Sequence, residues 1–149
     1  MNRVDVFIAH LDQKGSDFTE LTPAEVETYK LEWFNSFVPA EKQEEAMNCY
    51  CFDTDGYCGY LWHVFSYNIL NCYEKDMARK AFDDLDKQEA VLLENIDDVA
   101  YRIKDVSGFK AQDLVKLEDI ILTAKDFSWV YVKTHEPVCG PYFYTAELI

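Results

Sequence analysis

Glycine and proline are scarce in this sequence, five and four among 149 residues. That scarcity excludes a collagen-like, fibrous or low-complexity chain. Basic residues are also few: 14 Lys and Arg stand against 28 Asp and Glu, a net charge of −14. A protein that grips nucleic acid by its phosphates, or adheres to an anionic membrane, needs a basic footprint that this composition does not supply. The first ten residues hold Arg3 and Asp5 around a short apolar run, with no h-region leading to a small-residue cleavage site. The longest uncharged stretch, residues 56–73, is long enough to raise the question of a membrane span. It contains His63, Ser66, Asn68, Asn71 and two glycines, and is aromatic rather than aliphatic, so it reads as core. No paired CxxC, HExxH, glycine-rich phosphate cradle or G-x-S-x-G elbow occurs.

What is present suits one globular domain. Apolar residues make up 49% of the chain and aromatics 15%, enough for a core without disulfides or metals, and 149 residues leave little room for a second unit. The expectation is one domain over 1–149. The five cysteines (Cys49, Cys51, Cys58, Cys72 and Cys139) are an odd number in a chain without an export signal. Free thiols in the cytoplasm are therefore expected.

Along the chain, Val4–Leu11 reads as a first strand and Asp12–Leu21 as a loop. Thr22-Pro23-Ala24-Glu25 is a capping box with proline at the first helical position. Behind it, Val26, Tyr29, Trp33 and Phe37 fall on one helical face, and Pro39 ends the helix. A short acidic segment follows over Ala40–Asn48, then a turn cluster at Asp53-Thr54-Asp55-Gly56. Cys58–Asn68 reads as a buried strand, with a helix as the alternative, and Glu74–Leu85 as a helix with a stripe of Met77, Ala78, Ala81, Phe82 and Leu85. Glu89–Glu94 and Val99–Val106 read as strands turned at Ile96-Asp97-Asp98; Ala111–Leu117 reads as a short helix. Ile120–Ala124 and Trp129–Thr134 form a second hairpin. Hairpin-length connections outnumber crossover helices. The predicted fold is α+β, a single domain with a mostly antiparallel sheet of about five strands and N-terminal and central helices packed on it.

Residues 1–57 hold 12 acids and 4 bases, over half of the net charge. Glu41, Glu44 and Glu45 sit in that part, directly before an aromatic segment. The aromatics Tyr57, Tyr60, Trp62, Trp129, Tyr131 and Tyr142 exceed what a small core needs. Exposed beside acidic helices, they would have the composition of an interface anchor for a basic partner protein.

For chemistry, the best grouping is His63, His135, Glu136, Cys58 and Cys139. If the strands that carry them are neighbours, two imidazoles with Glu136 or a cysteine could form a zinc shell with an open position. A Cys–His pair could instead activate a thiol. The spacing is diagnostic of neither. Asp53-Thr54-Asp55-Gly56 opens like a calcium loop, but Val64 stands where the twelfth-position Glu would be.

Two blocks carry a resemblance: Gly59-Tyr60-Leu61-Trp62-His63-Val64-Phe65-Ser66-Tyr67, and Phe127-Ser128-Trp129-Val130-Tyr131-Val132-Lys133-Thr134-His135-Glu136 with Cys139-Gly140-Pro141-Tyr142-Phe143. Through these and the helix bearing Trp33, the chain resembles a domain-of-unknown-function family of small soluble proteins from Gram-positive bacteria. The resemblance implies a small intracellular bacterial protein and supplies no catalytic residues. The expected function is a non-enzymatic acidic binding protein without cofactor, such as an immunity, antitoxin-like or anti-defence inhibitor. The alternative is a small metal- or cysteine-dependent enzyme using His63 and His135.

Overall fold

Leu92 and Leu93 are adjacent and both fully buried, yet they belong to separate hydrophobic clusters. Successive strand residues face opposite sides of a sheet, so both faces here are covered. The computed structural model describes residues 3–13, 17–48, 61–66, 68–95, 98–136 and 138–145. Its strands are β1 (Phe18–Glu20), β2 (Tyr73–Glu74), β3 (Ala90–Glu94), β4 (Val99–Ile103), β5 (Ile120–Ala124), β6 (Trp129–Lys133) and β7 (Tyr142–Thr145). They form one sheet in the order β1-β4-β3-β5-β6-β7-β2, with every neighbouring pair antiparallel. The helices are α1 (Arg3–Gln13), α2 (Pro23–Phe37), α3 (Gln43–Met47), α4 (His63–Ser66) and α5 (Lys75–Asp84).

The result is three layers. On one face, Val26, Trp33, Phe34 and Phe37 of α2, with Leu61, Trp62, Val64, Phe65, Ile69 and Leu70, pack on Leu93, Ile121 and Val130. On the other, Val4 and Ile8 of α1 and Ala78 and Phe82 of α5 pack on Leu92, Leu122 and Tyr131. The Phe82 and Tyr131 rings stack at 4.4 Å. The α+β class, the antiparallel sheet and both hairpins agree with the sequence; the sheet has seven strands rather than about five. Three strands go unread in the sequence: β7 and the two edge strands β1 and β2, which are three and two residues long and mostly exposed. Short edges of this kind discourage edge-to-edge pairing, and they carry almost no alternating pattern.

The N-terminus of α2 forms as its sequence dictates. Thr22 Oγ1 accepts from the Glu25 amide at 3.2 Å, and Glu25 Oε1 accepts from the Thr22 amide at 2.9 Å. The helix ends at Phe37, ahead of Pro39.

Two segments read as strands are helical. Over Val4–Leu11 the buried residues are Val4, Ile8 and Leu11, spaced four and three apart, while Val6 is 57% exposed; this is a helical stripe compressed into an apolar run. Within Cys58–Asn68, the described residues 61–66 make a turn and the single-turn helix α4. The Val64 amide donates to the Leu61 carbonyl and the Phe65 amide to that of Trp62. Leu61, Trp62, Val64 and Phe65 are all buried because this segment lies over the sheet rather than within it, so its backbone bonds close locally. Met77 leaves the α5 stripe and is 63% exposed. The predicted helix over Ala111–Leu117 is a 3-10 turn, Ala111–Leu114. The calcium-like turn at Asp53–Gly56 lies outside the described residues.

Candidate functional site

Polar groups gather at one end of the sheet, where β3 ends, β4 and β5 begin and β6 ends. Asp119 precedes β5 at φ 54°, a left-handed conformation that Asp tolerates better than most residues. Its carboxylate is wholly buried and its carbonyl accepts from the Asn95 amide at 2.9 Å. The chain leaving β6 brings His135 to it: Asp119 accepts the ring Nδ1–H at 2.8 Å and the His135 amide at 3.2 Å. Because the partner is a carboxylate, Nδ1 carries the proton, and Nε2 faces Glu136 Oε1 at 3.6 Å.

The other Glu136 oxygen accepts from the Cys139 thiol at 3.1 Å. The Thr134 hydroxyl braces this turn by donating to the Cys139 and Glu136 carbonyls. Gly140, at φ 87°, follows; an added Cβ there would meet the Tyr142 ring at 3.1 Å. The 61–66 segment closes the end of the sheet. Asn95 Oδ1 accepts the Leu61 amide at 2.9 Å, and the Trp62 ring meets those of His63 at 4.3 Å and His135 at 6.1 Å. Asp98 joins this network, accepting from Asn95 Nδ2 at 3.2 Å and Lys30 Nζ at 3.1 Å.

His63, His135, Glu136 and Cys139 gather here, although the segment that carries His63 is a helical turn and not the strand beside β6 that the grouping presupposes; Cys58 lies outside the described residues. Their chemistry differs from the expected forms. Among the described residues, no three His, Cys, Asp or Glu side chains are placed to hold a metal ion. The donor atoms face one another instead: His135 Nδ1 faces Asp119, His63 Nδ1 faces Ser66 Oγ at 3.0 Å, and Glu136 faces the thiol. That thiol bond and burial raise Cys139 above the usual thiol value, the reverse of activation. Burial pushes Cys72 up to about 12. Burial also holds His63 below the ordinary imidazole value, against the pull of Glu136 and Asp119. Asp119 was missing from the sequence grouping; nothing in the stretch Glu118-Asp119 distinguishes it from a surface pair.

The aromatic anchors are corrected. Trp62, Trp129, Tyr131 and Tyr142 are 1–5% exposed and serve the two cores, because with both faces covered the sheet needs about twice the apolar bulk of a one-sided one. Tyr57 and Tyr60 lie outside the described residues. The acidic residues are placed otherwise. Residues 17–48 contain eight acids and two lysines, and all eight acids, Glu41, Glu44 and Glu45 among them, are exposed. Both lysines turn inward, Lys30 to Asp98 and Lys42 to the Ile69 carbonyl at 2.9 Å. The helical layer over one sheet face thus presents carboxylates with its own ammonium groups drawn away.

Among the described residues, no helix is long and apolar enough to cross a membrane. A family model described as "Domain of unknown function (DUF4275)" matches residues 6–143, and the chain belongs to that family. Comparisons with curated proteins and with solved structures found no significant match.

Proposed function

We propose that this DUF4275 protein is a non-enzymatic binding protein that covers a basic surface of a partner protein, in the manner of an immunity, antitoxin-like or anti-defence inhibitor. The contact surface is the layer built by α2 and the acidic segment after it, with Glu41, Glu44 and Glu45 at its C-terminal end. One observation carries the proposal: six exposed carboxylates, Glu25, Glu27, Glu32, Glu41, Glu44 and Glu45, in a layer whose two lysines are both engaged inward. Apart from Arg102, which shares a cleft with Glu25 and Glu32, such a surface is negative, which speeds encounter with an oppositely charged partner and repels nucleic acid and anionic lipid. With Trp62, Trp129, Tyr131 and Tyr142 in the core, recognition rests on charge and shape rather than on those rings. The setting that fits is the cytoplasm of a bacterium, Gram-positive by the sequence resemblance.

The test is a comparison of capture by the wild-type chain and by the variant Glu41→Lys/Glu44→Lys/Glu45→Lys. A protein partner retained at low salt, released at about 0.5 M salt and not retained by the variant is the expected result. A partner held equally by both chains at both salts overturns the proposal.

A second reading, an acid–base centre at His135, is favoured by the buried Asp119 that fixes its ring. In that reading Nε2 takes a proton from substrate while Asp119 holds the tautomer. It predicts an activity lost in His135→Gln with stability retained; activity retained in that variant removes it.

A further inference from the structure

On the sheet face opposite the acidic layer, a cavity of about 460 Å³ opens between the C-terminal half of α1 and the loop that follows β4. Phe7 and Phe109 form its apolar wall, meeting edge to face at 5.6 Å. Asp105 and Asp113 stand on the same lining, and His10 is the basic side chain among the lining residues. Both carboxylates are fixed by local backbone bonds, Asp105 accepting from the Ser107 amide and Asp113 from the Lys110 amide, each at 2.9 Å. Lys110 does not close the cavity with its own charge, because its Nζ reaches the Asp83 carbonyl at 3.0 Å.

We propose that this cavity binds a small organic cation, an ammonium or guanidinium on an apolar body, with the body against Phe7 and Phe109 and the charge between Asp105 and Asp113. The volume lies in the range of small-molecule pockets. Two carboxylates repel an anion and leave a neutral ligand without a matching charge. A bare metal ion would gain nothing from two phenyl walls, and no metal-holding group exists among the described residues. An organic cation uses both halves of the lining: its charge pairs with the carboxylates and its apolar body lies against Phe7 and Phe109. The cavity lies on the face covered by α1 and α5, so it is independent of the acidic layer proposed as a protein-binding surface.

The test is an NMR titration of the full chain with phenethylamine and with its neutral isostere 2-phenylethanol. The amine is expected to shift the amides of Phe7, Gly108 and Phe109 saturably and to bind about tenfold or more tighter than the alcohol. Asp105→Asn with Asp113→Asn keeps the backbone acceptors and removes the charge; it is expected to erase that preference. Gly108 offers a steric control, since a Cβ there meets nothing within 4 Å. Gly108→Leu is expected to abolish binding of both compounds without lowering the thermal midpoint. No saturable shifts in the cavity up to about 10 mM amine, equal affinity for amine and alcohol, or a preference that survives the double Asn variant would each overturn the proposal.

Discussion

The carboxylate of Asp119, shut off from solvent, accepts both the ring Nδ1–H and the backbone N–H of His135. One residue thereby ties the start of β5 to the chain leaving β6 and sets the direction of the His135 ring. Asp119→Ala removes a buried acceptor for two donors and places alanine at φ 54°. The expected loss is about 2–4 kcal/mol of unfolding free energy. Asp119→Asn keeps an acceptor and tolerates the backbone, and loses less. Urea unfolding measures both; a loss below about 1 kcal/mol for the alanine variant contradicts the assigned role.

Deep in the α2-side core, Trp33 Nε1 donates to Thr123 Oγ1 at 3.0 Å, and both residues are fully buried. Thr123→Val keeps the shape and orphans the indole N–H, which costs about 1–3 kcal/mol. Thr123→Ser restores the acceptor and recovers most of that loss, apart from the missing methyl. Equal stabilities of the Val and Ser variants would show that the hydrogen bond contributes nothing net.

His63 gives a pH dependence whose sign is fixed. Burial, the largest influence, lowers its folded value below the ordinary 6.5, so the unfolded chain takes up this proton first as the solution is acidified. The contribution to stability is complete above the ordinary value and is lost as pH falls through it toward the lowered folded value. His63→Gln is therefore expected to flatten the stability profile between about pH 7 and pH 5 relative to wild type. Parallel profiles for the two chains would contradict the burial of the neutral imidazole.

The sequence made the middle of the fold legible and concealed its periphery. The Thr22–Glu25 capping box and the two hairpins could be read directly, since each is a local device whose residues also make its contacts. The Val4–Leu11 segment reads as a strand because Val6 and Phe7 fill positions between the stripe of Val4, Ile8 and Leu11, so the helix has the pattern of an apolar run. The 61–66 segment reads as a strand or a helix from its sequence, because its four buried residues are dictated by the sheet beneath it rather than by its own period. At the candidate site, the aromatic blocks leave open whether His63 and His135 converge, since His63 arrives on α4 and not on a strand beside β6. Asp119 is not legible there, because its burial arises only where β3 and β6 end and β5 begins. The surplus of rings is compatible with burial or with an exposed patch, and a sheet covered on both faces takes Trp62, Trp129, Tyr131 and Tyr142 into its two cores.

The acidic layer is tested most directly by kinetics with the partner captured at low salt. Association rate constants would be measured against ionic strength for the wild-type chain and for Glu41→Lys/Glu44→Lys/Glu45→Lys. Charge steering predicts that the wild-type rate falls by about tenfold or more between about 20 and 300 mM salt, and that the variant starts about tenfold lower with a flatter slope. A wild-type rate that does not change with salt, or a variant that associates as fast as wild type, would contradict an acidic binding face.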